Sequence, residues 1–315
     1  MMLAPVREAS TPPETVETEL TTRSMGGTLR LLVASTPSAG DRVERDLRRV
    51  AGRIDAWARR LTRFSDTSDL STLNADPHAE VTAVRPTIGA VLSHAQRMTA
   101  TTDGTVDVTM LDARLAAELG DRPAQRGDSS WRLSGSGRHL DLVRSGPSRL
   151  DLDGVAKGWI ADRALRLLGA YPSALVDADG DVAVRASWST GWCVAVEHPH
   201  DDAIELARLC VPLDWPSSSY GIATSGTSVH RWAGHGSSTH HLIEPLTHRS
   251  AVTDVVQATV VAESAGVAEC LAKSAVIRGS QGGLELLDRA GAWAAVLLLE
   301  DDELFATPGT SGWLA

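Results

Sequence analysis

The stretch Arg149–Leu168, RLDLDGVAKGWIADRALRLL, sets two carboxylates, Asp151 and Asp153, beside a lysine, Lys157, and two glycines, Gly154 and Gly158. Glycines placed just before a helix start leave backbone N–H groups aimed at one point, which is how proteins hold phosphate. Lys157 adds a positive charge at the same end, and the two aspartates can hydrogen-bond a sugar or a ring, or ligate a metal. The spacing is not that of a GxxxxGK[ST] loop, and an ordinary strand-to-helix turn reads much the same. To work together these residues must be positioned by an alternating strand through Asp151, Asp153 and Gly154. The helix that follows has Ile160, Ala164, Leu167 and Leu168 at helical spacing and Gly169 as its stop.

Two other groups invite chemistry. Half of the ten histidines fall between His230 and His248, but the spacing contains no HExxH and no nearby cysteine, so a zinc site is not favoured. Cys193, Cys210 and Cys270 are far apart, forming neither a disulfide framework nor a CxxC clip, and read as buried free thiols.

Composition bounds the rest. The 315 residues are 43% apolar, enough for a sizeable core in one large domain or two small ones. A formal net charge of −10 argues against nucleic acid or an anionic membrane as the main partner. The longest apolar run, Ala292–Leu299, is far short of the roughly 20 residues that span a bilayer. The N-terminal MMLAPVREASTPPETVETEL has no signal pattern. Residues 1–24 are therefore expected to be a disordered lead on a cytoplasmic protein, with one folded domain over 25–315.

Along that domain, Thr28–Ser35 reads as a strand. A helix follows, with Asp41 and Glu44 as a capping pair and Val43, Leu47, Val50, Ile54, Trp57 and Leu61 on one face. Leu61–Ala75 is polar, with Phe64 as its only aromatic. A second helix starts at Pro86, and after Gly104 the residues Thr105, Val106 and Asp107 open an element that turns helical near Met110. Residues 120–148 read as surface with a hairpin around Trp131 and Leu140. ALVDADGDVAVRA, GWCVAVEHP and Leu209–Leu213 read as strands of one antiparallel sheet. The last helix, Ser264–Arg278, carries Glu269 and Lys273 four residues apart, and the chain closes with a buried strand and a polar tail.

Taken in order, DLDGVAKGWIADRA, ALVDADGDVAV, GIATSGTSVHRW, HHLIEPLTHRS and VVAESAGVAECLAKSAVIRG resemble the ApbE family, the FAD:protein FMN transferases. The resemblance runs from Met25 to Leu299. It implies an α+β fold of T-fold type, a mixed and mainly antiparallel sheet with flanking helices. It also implies cleavage of FAD at its pyrophosphate, with magnesium, and attachment of FMN through a phosphoester to a threonine of an acceptor flavoprotein, releasing AMP. Residue by residue, it assigns flavin contacts to Met25, Phe64, Thr105, Val106, Asp107, Asp151 and Lys157. His241 falls beside the diphosphate and is implicated in transfer, and Thr224, Ser225 and Gly226 match a loop lining the pocket. The metal positions fall on the Gly154 carbonyl, Glu269 and Lys273.

Departures from the family pattern accompany the match. Glu269 stands where an aspartate is usual, and Lys273 where a threonine is usual. A protonated lysine has three donors and no lone pair, so Lys273 is not a metal ligand. It either pairs with Glu269 or brings its own positive charge to the pyrophosphate. Asp153 and Asp179 replace glycine, Glu244 replaces aspartate, and His248 replaces glycine. Asp153 can in principle restore a metal ligand. His241, with an ordinary pKa of about 6.5, can act as acid or base near neutrality, and Glu269 is the alternative base. Two rival readings use the same residues: an FAD carrier that has lost transfer, and a hydrolase that gives FMN and AMP.

Overall fold

The computed structural model describes residues 15–121, 130–186, 192–212, 219–228, 231–234 and 237–314. In chain order these form β1 (Val16–Ser24), β2 (Gly27–Ser35), α1 (Gly40–Leu61), α2 (Asp69–Asn74), β3 (Val81–Val84), α3 (Pro86–Thr101) and α4 (Leu111–Leu119). Then come β4 (Trp131–Ser136), β5 (His139–Arg144), α5 (Lys157–Leu167), β6 (Ser173–Ala178), β7 (Asp181–Arg185), β8 (Cys193–His198) and β9 (Asp201–Cys210). The remainder is β10 (Ser219–Gly226), β11 (Arg231–Gly234), β12 (Ser237–His240), β13 (Ile243–Glu244), β14 (Arg249–Ser250), β15 (Val255–Ala262), α6 (Ala265–Arg289), β16 (Ala294–Leu299) and β17 (Leu304–Ala306).

The main sheet has the order β1-β2-β6-β7-β10-β15-β16-β17, every neighbouring pair antiparallel. Its inner strands are apolar on both faces, and period-two alternation sorts their side chains. Leu29, Leu31, Val33, Val176, Ala183, Ala223, Val260 and Leu297 join one core with Val50, Ile54, Ile160, Ala164, Leu271 and Ala275 from α1, α5 and α6. Leu175, Val182, Val184, Ile222, Val261 and Val296 face the other way, onto Val196 and Leu209 of the β8–β9 hairpin and onto Trp313. This is the mixed, mainly antiparallel α+β arrangement that was expected.

Several local expectations are corrected. Val16–Ser24 is β1, paired along its length with β2, and not part of a disordered lead; residues 1–14 lie outside the described residues. The α1 N-terminus has no side-chain cap, and Glu44 instead pairs with Arg48. Asp153 lies in a turn, and Arg149–Leu152 belongs to no sheet. Its backbone is held by Asn74, whose amide bonds both Leu150 groups at 2.7 and 2.8 Å, and by the Val108 carbonyl, which accepts the Asp151 N–H at 2.7 Å. The strands β8 and β9 form their own two-stranded sheet, because the main sheet's second face needs a cover. α6 runs on to Arg289 past a break at Gly279 (φ +72°), where Asp254 accepts the Ser280 N–H at 2.8 Å and restarts the helix. The tail is not simply polar: Trp313 is fully buried against Tyr220.

The cysteine expectation is also overturned. Cys193 and Cys210 face each other across the β8–β9 pair, with Cα atoms 4.2 Å apart, and are disulfide-bonded. Antiparallel pairing brings together residues 17 apart in sequence, which spacing alone does not reveal. Cys270 is a buried free thiol, as expected.

Candidate active site

Four separated stretches meet at one narrow cleft lined by Thr105, Asp107, Met110, Arg114, Asp151, Asp153, His241, Ile243 and Lys273. The space open to a water-sized molecule there is ≈ 10 Å³, about what a single water occupies. A larger ligand enters only when these side chains part. A roomier cavity of ≈ 640 Å³ lies elsewhere, between α3, α5 and the ends of α6, and contains none of this acid cluster.

The segment between α3 and α4 is fixed by its own hydroxyls. Thr102 Oγ1 accepts the Val106 N–H at 3.0 Å, and Thr99 Oγ1 donates to the Val106 carbonyl at 2.8 Å. Arg278 of α6 donates to Thr105 Oγ1 at 2.7 Å and to the Thr102 carbonyl at 2.8 Å. Val106 is therefore buried, while Asp107 turns into the cleft and accepts both the N–H and the hydroxyl of Thr109, at 2.8 and 2.6 Å.

Asp151 accepts the Asp153 N–H at 3.1 Å, an aspartate turn that swings the chain around Gly154 (φ +88°) into α5. Arg114 of α4 is the cation that this pair requires. It donates to Asp151 at 3.4 Å, more closely to Asp153, and to Glu118 at 3.2 Å. Burial works against the Asp153 charge, but the Arg114 guanidinium outweighs it and holds Asp153 well below the usual carboxylate range. Asp151 goes the other way: burial and the neighbouring Asp153 charge push it up.

Lys157 opens α5 and lies 3.7 Å from Asp179 and 3.9 Å from Asp181. Burial opposes its charge, but Asp181 and Glu269 outweigh that and raise its pKa. Asp181 is pushed up to about 7, mainly by burial. The Gly158 N–H, expected among the groups free for phosphate, is instead taken: Glu269 Oε2 accepts it at 3.0 Å. That contact needs a glycine, because a Cβ on Gly158 would lie 2.4 Å from the Ala265 carbonyl oxygen. Glu269 is 5% exposed, and burial followed by the Asp181 charge raises its pKa well above the ordinary value. Lys273 is turned away from Glu269. Its ammonium donates to the Asp153 carbonyl at 3.1 Å, and its Nζ stands 2.8 Å from where a Gly154 Cβ would be.

His240 and His241 point to opposite sides. His240 is buried; its Nδ1 accepts the Leu242 N–H at 3.3 Å, which leaves Nε2 to donate to the Ala251 carbonyl at 3.0 Å. His241 faces the cleft, close enough to Asp153 to favour that carboxylate's charge. The expected residues Thr105, Asp107, Asp151, His241 and Lys273 thus meet, and Lys157, Gly154 and Glu269 adjoin them behind Asp153. Met25 and Phe64 do not line the cleft. Met25 (φ +53°) and Gly26 (φ +87°) form the two-residue β1–β2 turn, and Phe64 is 81% exposed beneath the Arg63 guanidinium. Thr224, Ser225 and Gly226 end β10 outside it; Thr224 bonds Thr259 at 2.8 Å.

Arg114, Asp181 and Arg278 were missed by the sequence reading. Arg114 left a signal, since it shares a helical face with Met110, Ala113 and Ala117, where a cation needs a buried partner. Two of the family departures have a backbone reason to be noticed: Asp179 (φ +61°) and His248 (φ +56°) hold a conformation in which glycine is least strained.

Residues 25–297 match the ApbE family. A protein of Vibrio cholerae named FAD:protein FMN transferase is 25% identical over 271 residues, covering 80% of this chain and 79% of that protein. The crystal structure of the ApbE protein from Thermotoga maritima superposes with a TM-score of 0.78 at 19% identity, covering 95% of this chain and all of that one. The apo flavinyl transferase ApbE of Pseudomonas stutzeri gives 0.72 at 21% identity, covering 93% and 94%.

Proposed function

Because the chain belongs to the ApbE family, we propose that it is an FAD:protein FMN transferase. It cleaves FAD at the pyrophosphate, joins FMN through a phosphoester to a threonine hydroxyl of an acceptor flavoprotein, and releases AMP. The observation that supports placing this chemistry is the convergence of Thr105, Asp107, Asp151, His241 and Lys273 on one cleft.

In the reaction the threonine Oγ forms a bond to the FMN phosphorus. The anhydride P–O bond breaks, its electron pair leaves on the AMP phosphate, and the hydroxyl proton is released. Such a step needs positioning and neutralisation of the phosphoryl oxygens more than covalent help. His241 is the group proposed to take the proton, with Glu269 as the alternative base. Asp153, held ionised by Arg114, favours the imidazolium that results. Thr105, the Val106 backbone, Asp107, Asp151 and Lys157 are proposed to hold the dinucleotide. Met25 and Phe64 are proposed as outer contacts, reached by a ligand that extends beyond the cleft.

The resemblance also implies magnesium on the Gly154 carbonyl, Glu269 and position 273. The side chains present do not fit that ion. Lys273 supplies an ammonium where a ligand oxygen is required, and its Nζ is already at the Asp153 carbonyl. The Gly154 carbonyl accepts the Cys270 thiol at 3.6 Å. No cluster of three His, Cys, Asp or Glu residues suited to a metal occurs among the described residues. No step is therefore routed through a metal ion.

The test is incubation of the purified protein with FAD, with and without a threonine-bearing acceptor, scoring AMP and covalent flavin. AMP with adduct supports transfer. AMP without adduct gives hydrolysis, and intact bound FAD gives a carrier. His241→Ala is expected to lower AMP release by about 10²–10⁴-fold, the range for a lost acid or base.

No described helix is long and apolar enough to cross a membrane. Cytoplasmic placement is a proposal that the Cys193–Cys210 disulfide counts against, since such bonds are rare in that compartment. Thiols trapped in fresh lysate test it, a reduced pair supporting the cytoplasm and an oxidised pair placing the domain in an oxidising compartment.

A further inference from the structure

The geometry points to Lys273 as a built-in replacement for the divalent cation, so that FAD cleavage by this chain is independent of magnesium. The inference rests on the FAD reading above. Lys273 projects from α6 into the cleft that Asp107, Asp151 and His241 line, and its ammonium lies against the Asp153–Gly154 peptide.

Of the four side-chain cations at the site, Arg114 is bonded to Asp151, Asp153 and Glu118, Lys157 is paired with Asp179 and Asp181, and Arg278 is paired with Asp103 and donates to Thr105 and Thr102. Among the described residues Lys273 forms no salt bridge, and one of its three donors goes to a neutral carbonyl. Two donors remain for phosphoryl oxygens, and lysine binds phosphate as a point charge. A divalent ion seated on the Gly154 carbonyl would have to share that space with the ammonium, and like charges at such a distance disfavour both. When the anhydride bond breaks and its electron pair passes to the AMP phosphate, the Lys273 charge is the one available to meet it.

The full chain is tested with FAD and the threonine acceptor in EDTA and in magnesium. AMP release within twofold of equal in the two conditions is expected; a tenfold or greater loss in EDTA, restored by magnesium, overturns the inference. A second readout does not depend on turnover. Manganese is titrated into protein with FAD and followed by electron paramagnetic resonance, against FAD alone. No added stoichiometric site is expected in the wild type, and one such site overturns the inference. Lys273→Thr is expected to gain that site and to cleave FAD at least tenfold faster with magnesium than without it. Should that variant fail to fold, Lys273→Met, which keeps the length and removes the charge, is expected to lose at least tenfold in EDTA; an unchanged rate there refutes the role. A wild type that releases no AMP under any condition defeats the transferase reading, while the manganese titration still scores this one.

Discussion

Glu269, in the first turns of α6, accepts the backbone N–H of Gly158 at the start of α5 from 111 residues away in sequence, at 3.0 Å. The bond locks two helix starts together behind the cleft, and it exists because residue 158 has no side chain to hold them apart. A buried N–H left without an acceptor costs about 1–3 kcal/mol.

Gly158→Ala is expected to separate α5 from α6, since its Cβ would lie 2.4 Å from the Ala265 carbonyl oxygen and 2.8 Å from the Gly266 nitrogen. Backbone cannot rotate away as a side-chain end can, so the expected loss is about 1–3 kcal/mol, the usual range for an overpacked site. Urea denaturation measures it. A variant as stable as the wild type contradicts the close approach described here.

Asp181 gives the protein a specific pH dependence. Its carboxyl is pushed up to about 7 by burial, whereas an unfolded aspartate titrates near ~3.9. Between those values the folded chain holds a proton that the unfolded chain has released, so this group makes stability fall as pH rises from about 4 to 7. Asp181→Asn removes the effect. A pKa unit corresponds to about 1.4 kcal/mol, and Lys157 loses a partner at 3.9 Å in the exchange. The net gain expected at pH 8 relative to pH 4.5 is therefore about 1–2 kcal/mol. Thermal melts at the two pH values check the sign.

Arg114 is a buried cation with three carboxylate partners, so its loss should be costly in a way that charge retention rescues. Arg114→Met leaves the buried Asp151 and the half-buried Asp153 without their guanidinium partner, with an expected cost of about 3–5 kcal/mol. Arg114→Lys should recover part of it. The Asp153 carboxyl, followed by NMR in the methionine variant, should titrate at a clearly higher pH than in the wild type; an unchanged titration rules out Arg114 as its controlling partner.

Closing a loop across a sequence separation of 17 is worth about 3 kcal/mol when the loop constrains the unfolded chain. Treatment with dithiothreitol is expected to lower the free energy of unfolding by about 2–3 kcal/mol. Thiol titration of the oxidised, denatured protein should find one free thiol, Cys270. Three free thiols would mean that the β8–β9 hairpin is not crosslinked.

The amino-acid sequence by itself determined what is local. Helical and period-two spacing located α1, α3, α5 and, of the main sheet, β2, β6, β7 and β16 but not β10 or β15, because amphipathic side chains declare which way an element faces. The order of motifs identified the ApbE family, and residue types alone excluded Lys273 as a ligand. Tertiary structure decided what depends on neighbours distant in sequence. It paired Cys193 with Cys210, turned His240 into the protein and His241 into the cleft, bound Glu269 to Gly158, and set Arg114 between Asp151 and Asp153. It also took Lys273 away from the Glu269 carboxylate four residues along the helix, its ammonium donating instead to the Asp153 carbonyl. A helix fixes where a long side chain begins, but which acceptor its end reaches is settled only once the opposing chain has packed against it.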